Sequence, residues 1–248
     1  MTEGVDISVI IPNYNSGNLL EVTLKSIFST GCDYRLEVIV VDNLSTDQPD
    51  EILKAFPSKD LVFCSESDQG IYDAMNKGIR MAKGNWLIFM GAGDELLVEH
   101  VNQMPLRSDR WMMVYGDVYL VQTGLIYDGA FDFSKLTEKN ISHQAIFYRS
   151  EVFQKLGDFD IRYKITADYL INLAVFLEMK DLICYHPLTV SRFLGLGVSD
   201  RVHDHLFHDH KFSVISKLIL RRLNATNLLH LTRYCVAYFR AGIRNNFG

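Results

Sequence analysis

Apolar and polar positions alternate in blocks over the first 90 residues, and the blocks predict strands and helices in turn. Short runs of β-branched and other apolar residues are typical of buried strands. Between them, apolar residues recur every three or four positions, as in amphipathic helices. The predicted strands are 7–11, 36–41, 61–64 and 86–90, and the predicted helices are 16–29, 47–56 and 70–83. This order predicts a parallel sheet with helices on both faces.

Beyond residue 94 the alternation becomes irregular. Thr166 is predicted to cap a helix at its N-terminus, which places Asp168 in the first turn. Without an internal repeat or a Pro/Gly-rich linker, we predict one α/β domain over 1–200 and a helical appendage over 201–248. The later predicted strands are 112–122 and 145–149, and the later predicted helices are 152–156 and 167–178.

Composition indicates an ordinary globular protein. A chain of 248 residues with 48% hydrophobic content can bury one substantial core. Four scattered cysteines without a C-x-x-C pair, and no secretory leader before the first strand, predict a reduced cytoplasmic setting. There is no run of about 18 apolar residues, so no membrane-spanning helix is expected.

Charge is unevenly divided along the chain. Residues 211–248 hold seven Lys and Arg and no acid, so this tail carries +7 and residues 1–210 carry −12 of the net −5. Basic residues interleaved with Leu, Ile, Phe and Tyr suit a helix lying on an anionic membrane surface, here the inner face of the cell membrane. The alternative is a helical pair packed on the domain, or a contact between copies in a homo-oligomer.

Two acids follow buried strands, at the sheet edge where open α/β proteins bind ligands. Asp42 can accept hydrogen bonds from the base or ribose of a nucleotide, or can form an Asx turn with Asn43 and Ser45. Asp94 lies on the Gly91–Gly93 loop. It is a hard oxygen ligand suited to Mn²⁺ or Mg²⁺ completed by substrate phosphates, or simply an acid in a turn.

A third motif, DQGIYDAMNKG at residues 68–78, places two acids and an asparagine around a turn that leads into a helix. This arrangement is typical of a substrate-binding turn. Together with five other motifs in the same order, it resembles the family 2 glycosyltransferases over about residues 5–200. The resemblance is closest to short bacterial members that build capsule, exopolysaccharide and O-antigen units. The other motifs are IIPNYN at 10–15, VVDNLSTD at 40–47, GD at 93–94, SHQAIF at 142–147 and ITADY at 165–169.

The resemblance implies a GT-A fold, a Rossmann-like mixed sheet flanked by helices. It also implies an inverting transfer of sugar from a nucleotide-diphosphate sugar to a hydroxyl, with Mn²⁺ or Mg²⁺ as cofactor. The implied acceptor is a lipid-linked saccharide in bacterial surface polysaccharide synthesis. No nucleic acid partner is expected.

The same resemblance assigns roles to individual residues. Asp168 matches the catalytic base, although a first-turn acid favoured by the helix dipole is the simpler alternative. Asp94 matches the metal ligand, while Gly93 departs from the acid that many relatives place beside it. The residues matched to the donor site are Pro12, Tyr14, Asp42, Asp68, Asn76 and Lys77.

Three further features have two interpretations each. His143 contacts the acceptor or the diphosphate, or is a hydrogen-bonded, partly buried histidine. Residues 191–199 resemble a loop that closes over the diphosphate and acceptor, with Arg192 as its cation or as a solvated loop charge. The histidine-rich segment 203–210 is a transition-metal site or a solvated polar face.

Two other function classes compete with this interpretation. A sugar nucleotidyltransferase should carry a glycine-rich basic loop directly after the first strand, and here residues 12–15, Pro-Asn-Tyr-Asn, follow it. A non-catalytic, membrane-associated assembly protein would tolerate Gly93 and use the basic tail. The presence of both Asp94 and Asp168 favours an enzyme.

Overall fold

The structure, a computed structural model, describes residues 4–29, 31–195, 204, 207, 209–222 and 225–245. Residues 196–199 of the predicted loop, and His203, His205 and His208 of the histidine-rich segment, lie outside the described residues. The strands are β1 Ile7–Asn13, β2 Leu36–Asp42, β3 Leu61–Ser65, β4 Trp86–Phe89, β5 Glu95–Leu96, β6 Met113–Leu120, β7 Leu125–Tyr127, β8 Ile146–Arg149 and β9 Ile183–Phe193. The α-helices are α1 Asn18–Phe28, α2 Pro49–Leu53, α3 Ile71–Met81, α4 Val98–Val101, α5 Phe133–Glu138, α6 Ser150–Leu156, α7 Ala167–Glu178, α8 Lys211–Arg221 and α9 Ala225–Asn245.

Within these residues, nine strands form one mixed sheet in the order β3-β2-β1-β4-β8-β6-β9-β5, with β7 paired to β6. Strands β1 to β4 are mutually parallel, and β8 runs antiparallel to both β4 and β6. The predicted parallel sheet is therefore confirmed for the first 90 residues. It continues into a mixed sheet, as expected.

Side chains of β1 alternate between the two faces of the sheet. Val9 and Ile11 pack with Leu20 of α1, whereas Ile10 packs with Met75 of α3. Alternation with period two is what a strand covered on both faces requires. The two helices therefore lie on opposite faces and cover the sheet on both sides.

Helix α3 lies close against β1 at Gly78. A Cβ atom added to Gly78 would lie 2.4 Å from Cγ2 of Ile10, so a larger residue would push the helix away. The close approach keeps the N-terminus of α3, which begins at Ile71 in the 68–78 motif, over the carboxyl edge of the sheet.

One predicted helix is much shorter in the structure, and one predicted loop is partly a strand. The predicted helix over 47–56 is confined to Pro49–Leu53. Gln48 before it has a left-handed backbone with φ 57°, and Pro57 disfavours a helical conformation at Phe56. The predicted loop over 191–199 is wrong for residues 191–193, which belong to β9 and pair with β5 and β6. Pro187 within β9 weakens the strand signal in the sequence.

The C-terminal helices pack on the rest of the protein. Ile215 and Ile219 of α8 are fully buried, in the same apolar cluster as Leu173 of α7. Further along, the ring of His230 in α9 lies 4.6 Å from that of Phe133. Among the described helices, none combines the length and apolar character that a membrane crossing needs. The division into units 1–200 and 201–248 stays a prediction.

Candidate active site

The carboxyl ends of β1 and β2 are joined by Asp42, whose side chain is buried. Its carboxylate accepts hydrogen bonds from Asn13 Nδ2 at 2.7 Å, Ser65 Oγ at 2.7 Å and both Ser45 N at 2.9 Å and Ser45 Oγ at 2.5 Å. Burial favours the neutral acid, but these hydrogen bonds outweigh it and lower the pKa of Asp42 below its ordinary value. The bond from Ser45 N closes a turn of the predicted Asx type, although it reaches three residues along the chain and not the usual two. A nucleotide contact for Asp42 stays a prediction.

Beside Asp42, the loops after β1 and β2 are tied together and present an aromatic ring to solvent. Asn15 N donates to Ser45 Oγ at 2.8 Å, and Thr46 N donates to Asn15 Oδ1 at 2.8 Å. The ring of Tyr14 is 64% exposed. An exposed aromatic face held by a rigid loop pair can stack on a flat ligand.

The motif over 68–78 forms a corner next to Asp42. Asp68 N donates to Asn43 Oδ1 at 2.9 Å, and Asp68 Oδ1 accepts from Gly70 N at 2.8 Å. Burial raises the pKa of Asp68, against the opposing effects of Gly70 and of the Lys77 charge.

The two matched residues further along this motif already have partners. Lys77 Nζ donates to the Ser67 carbonyl at 2.6 Å and lies 3.0 Å from Glu66 Oε1. Asn76 is buried, and its amide both donates to and accepts from the Phe159 backbone at 2.9 Å. Asn76 therefore holds the 158–163 segment against α3, and donor contacts for both residues stay predictions.

The loop that carries Asp94 is held by Thr23 of α1. Thr23 Oγ1 donates to the Gly91 carbonyl at 3.1 Å and accepts from Gly93 N at 2.8 Å. Gly93 has φ +102°, a conformation that residues with a side chain rarely adopt. The absence of an acid at position 93 thus has a backbone cause.

Asp94 itself is buried with few partners. Oδ2 accepts from Gln144 Nε2 at 2.9 Å, and Oδ1 accepts from Leu194 N at 3.2 Å. Burial raises the pKa of Asp94, although the Gln144 hydrogen bond and the His143 charge oppose that effect. Each carboxylate oxygen keeps a lone pair available for a cation.

Asp168 is buried near the start of α7 and is held by side chains from three other segments. Tyr72 Oη donates to Oδ1 at 2.6 Å, Asn140 Nδ2 donates to Oδ2 at 2.8 Å, and His143 Nδ1 lies 3.7 Å from Oδ2. Asn140 Oδ1 accepts in turn from Asn172 Nδ2 at 2.8 Å. The carboxylate is therefore fixed in orientation by a connected network.

The residues His143 and Gln144 link the two acids. They are consecutive in the 3-10 turn before β8, and His143 faces Asp168 while Gln144 faces Asp94. The sequence predicted a site role for His143 but not for Gln144, Tyr72 or Asn140. The SHQAIF and DQGIYDAMNKG motifs contained the first two, whereas nothing in the sequence marked Asn140.

Arg192 lies on an edge pair of strands rather than in a loop. It is opposite Glu95 in the β5–β9 register, and its Nη1 donates to Glu95 Oε2 at 2.9 Å. Its guanidinium also lies 5.8 Å from the centre of the Tyr119 ring. Arg192 is therefore not on a loop, although its side chain is 43% exposed, and a diphosphate contact stays a prediction.

The described part of the histidine-rich segment serves the fold. Asp204 accepts from Thr166 Oγ1 at 2.9 Å and from Ile165 N at 3.2 Å. Thr166 does lie at the N-cap position of α7, but its hydroxyl bonds to Asp204 instead of capping the helix. Within the described residues, no three His, Cys, Asp or Glu side chains cluster as metal ligands.

Comparison with known proteins agrees with this fold and motif order. Residues 8–165 match the family model described as Glycosyl transferase family 2. The chain belongs to this glycosyltransferase family. It is 34% identical over 224 residues to a "PGL/p-HBAD biosynthesis glycosyltransferase" of Mycobacterium bovis, covering 87% of this chain and 83% of the relative. It is 27% identical to the glycosyltransferase GlyA of Streptococcus pneumoniae, covering 79% of this chain and 32% of GlyA.

Solved structures confirm the GT-A fold for this glycosyltransferase. S. aureus TarS 1–349 in complex with UDP superposes with a TM-score of 0.75 at 18% identity, covering 95% of this chain and 72% of TarS. The mannosyltransferase PcManGT of Pyrobaculum calidifontis, in complex with GDP-Man and Mn²⁺, has a TM-score of 0.58 at 17% identity. Its match covers 98% of this chain and 76% of PcManGT.

We expect Asp42→Asn to lower the free energy of unfolding at pH 7 by about 1–3 kcal/mol, because an amide cannot accept all four hydrogen bonds. The native pKa of Asp42 is lowered, so its contribution is complete above the ordinary aspartate pKa of about 4 and is lost at lower pH. Urea unfolding at pH 7 and near pH 3 should show the difference between the two proteins shrinking in acid. The exposed Asp181→Asn variant is the control, and an Asp42→Asn deficit of equal size at both pH values would contradict the prediction.

Proposed function

We propose that this glycosyltransferase moves a sugar from a nucleotide-diphosphate sugar to an acceptor hydroxyl with inversion at the anomeric carbon. Asp168 acts as the base, and Asp94 is the protein ligand of Mn²⁺ or Mg²⁺. The observation that supports the proposal is the connection of these two buried carboxylates through the adjacent residues His143 and Gln144. The transfer needs one group that takes the proton from the acceptor hydroxyl and a cation that neutralises charge on the departing diphosphate. One acid at one end of the link can take the proton, and the acid at the other end can hold the cation.

The environment of Asp94 fits a divalent cation. Mg²⁺ and Mn²⁺ are commonly held by one or two carboxylates together with substrate phosphates and water. Asp94 offers one buried carboxylate with free lone pairs, and the donor diphosphate would complete the set. When bound, the cation would neutralise charge on the departing diphosphate. Among the structural neighbours, PcManGT and GalNAc-T7 were solved with Mn²⁺.

The environment of Asp168 fits a general base. Burial and the adjacent Asp168 charge raise the pKa of Tyr72 well above its ordinary value, so its phenol stays protonated and donates. Asn140 donates to the other oxygen. Each oxygen therefore has one donor and retains a lone pair for the acceptor proton, in a fixed orientation. His143 is placed to contact the acceptor or the diphosphate beside it.

The donor site is proposed at the carboxyl edge of β1, β2 and β4. Tyr14 stacks on the base with Pro12 below it, and Asp68 faces the ribose or the diphosphate. Asp42, Asn76 and Lys77 shape this site by holding its loops, since their polar groups already have partners within the protein. Arg192 approaches the diphosphate only if it exchanges its pairing with Glu95. TarS, a neighbour in fold, was solved in complex with UDP-GlcNAc, which supports a nucleotide-diphosphate sugar as the ligand of this site.

For the acceptor we propose a lipid-linked saccharide of bacterial surface polysaccharide synthesis, presented at the inner face of the cell membrane. The support is the tail, which carries seven basic residues without an acid. Exposed apolar side chains on α8 and α9 accompany those charges. They are Leu220, Leu228, Leu229, Val236 and Tyr238, each 45–53% exposed.

We expect Asp94→Asn to remove the Mn²⁺-dependent part of donor binding while the fold is retained. A thermal-shift screen of UDP-, GDP- and dTDP-sugars with and without Mn²⁺ identifies the donor, because a ligand of the native state raises its stability. Calorimetry with that donor then compares Asp94→Asn with Asp181→Asn, an exposed control. Wild-type Mn²⁺-dependent affinity in Asp94→Asn would remove Asp94 from the metal site.

We expect Asp168→Asn to lower turnover by about 10²–10⁴-fold with little change in donor affinity, because a base acts on the acceptor proton in the transition state. The matched control is Glu151→Gln, an exposed acid in the first turn of α6. Sugar transfer and donor binding are measured on both variants. A wild-type transfer rate in Asp168→Asn would leave Asp168 as a first-turn acid without a role in the reaction.

We expect Leu228→Gln/Leu229→Gln to reduce flotation with anionic vesicles, and we expect wild-type flotation to fall at high salt because exposed charges are screened. Substitution is preferred to truncation, since removal of α8 would expose the core around Ile215 and Ile219. The control is Leu125→Gln/Ile126→Gln, whose side chains are 62% and 63% exposed on β7. Equal loss in both double variants, or equal recovery with neutral vesicles, would count against the tail as the membrane contact.

A further inference from the structure

A groove of about 640 Å³ lies between α7 and α8, and residues of the 158–163 segment also line it. Its size falls in the range of about 300–1,000 Å³ that is usual for small-molecule sites. Ala167 lines the groove, while the next residue, Asp168, bonds to Tyr72 and Asn140. Adjacent helical residues point about 100° apart, so the groove lies on a different face of α7 from the candidate active site.

The walls of the groove combine apolar side chains from both helices with charged and polar ones. Four of the apolar side chains are only partly buried, so part of their hydrocarbon surface is exposed to water inside the groove. Such a surface gains free energy when a ligand with its own apolar part covers it. The apolar wall residues are Leu156, Leu170, Ile171, Ala174, Val214 and Leu218.

The acids at the groove are neutralised by partners. Asp158 Oδ2 lies 3.0 Å from Arg80 Nη1, and Asp160 Oδ2 lies 2.5 Å from Arg162 Nη2. Arg222, which follows the last residue of α8, is paired with Glu178. These pairs leave the acidic side of the groove without excess negative charge.

Two further cations line the groove from the exposed face of α8. Lys217 and Arg221 are one turn apart and exposed, and neither forms an ion pair with any residue that the structure describes. Their charges are therefore available to an anion at the mouth of the groove. Arg and Lys are the residues that most often bind phosphate groups.

We propose that this groove binds an anionic phospholipid, with hydrocarbon between α7 and α8 and the phosphate on Lys217 and Arg221. Apolar walls with a basic mouth distinguish a lipid phosphate from a free phosphate, which would gain nothing from Leu170 or Leu218. The inference rests on the membrane contact of the proposed function and deepens it. It replaces a general attraction to anionic surfaces with one site.

The test uses calorimetry of the full chain with a short-chain phosphatidylglycerol below its critical micelle concentration. Phosphatidylcholine with the same chains and inorganic phosphate serve as comparison ligands. Wild-type protein should bind phosphatidylglycerol at least about tenfold more tightly than either of them, since only this lipid supplies both chain and net negative charge. Equal affinity for phosphatidylglycerol and inorganic phosphate would overturn the proposal, because the walls would then contribute nothing.

Arg221→Glu and Arg233→Glu form a matched pair of variants. Both residues are exposed on tail helices, and both substitutions lower the tail charge by two, but only Arg221 lines the groove. Arg221→Glu should weaken phosphatidylglycerol binding by about tenfold or more, and Arg233→Glu should change it less than about twofold. Equal weakening in the two variants would assign the binding to overall tail charge and overturn the proposal.

A third variant, Leu218→Trp, fills the groove without changing charge. It should reduce binding of phosphatidylglycerol while the circular dichroism spectrum stays that of the wild type, and retained lipid affinity would contradict the site. Binding of the nucleotide sugar with Mn²⁺ is measured on the same proteins. If the wild type binds lipid but no nucleotide sugar, the proposed transfer fails and the lipid site stands. The reverse result removes the lipid site alone.

Discussion

Buried carboxylates need hydrogen-bond donors. In one region of this protein, three buried aspartates differ in how many donors they have. A buried charge without partners is costly enough to unfold a domain, so the supply of donors decides what each acid can do. Asp42 accepts four hydrogen bonds, all of them from groups within the protein. Asp168 has two donors and a nearby histidine, and Asp94 has two. The acids with spare lone pairs, Asp94 and Asp168, are the two to which the proposed transfer assigns a role.

The placement of these acids depends on packing far from them. Thr23 holds the Asp94 loop from α1, and the contact between Gly78 and Ile10 sets the depth of α3 on the sheet. Tyr72 lies on the same helix as Gly78, so the distance between α3 and the sheet also determines where Tyr72 donates its hydrogen bond to Asp168. The site is therefore assembled from segments almost 100 residues apart in sequence, and each of them is positioned by the shared sheet.

Much of the fold could be predicted from periodicity, because buried parallel strands and amphipathic helices leave strong signals in the first 90 residues. Strand β9 could not, since Pro187 interrupts its signal and its pairing is set by distant partners. The same division holds for the site. Asp94 and Asp168 lie in motifs, whereas Asn140 is positioned by Tyr127, Asp168 and Asn172, contacts that no local pattern encodes. Gln144 follows His143, which was predicted to belong to the site, but the orientation of Gln144 toward Asp94 depends on the 3-10 turn.

The conformation of Gly93 has a consequence for how this enzyme can change. With φ at +102°, an aspartate at this position would strain the backbone before it could offer an oxygen. A second acid beside Asp94 would require the Thr23 contacts to be rebuilt as well. A substitution at position 93 alone would therefore not give this loop a well-placed second acid, because the turn would have to change together with the side chain.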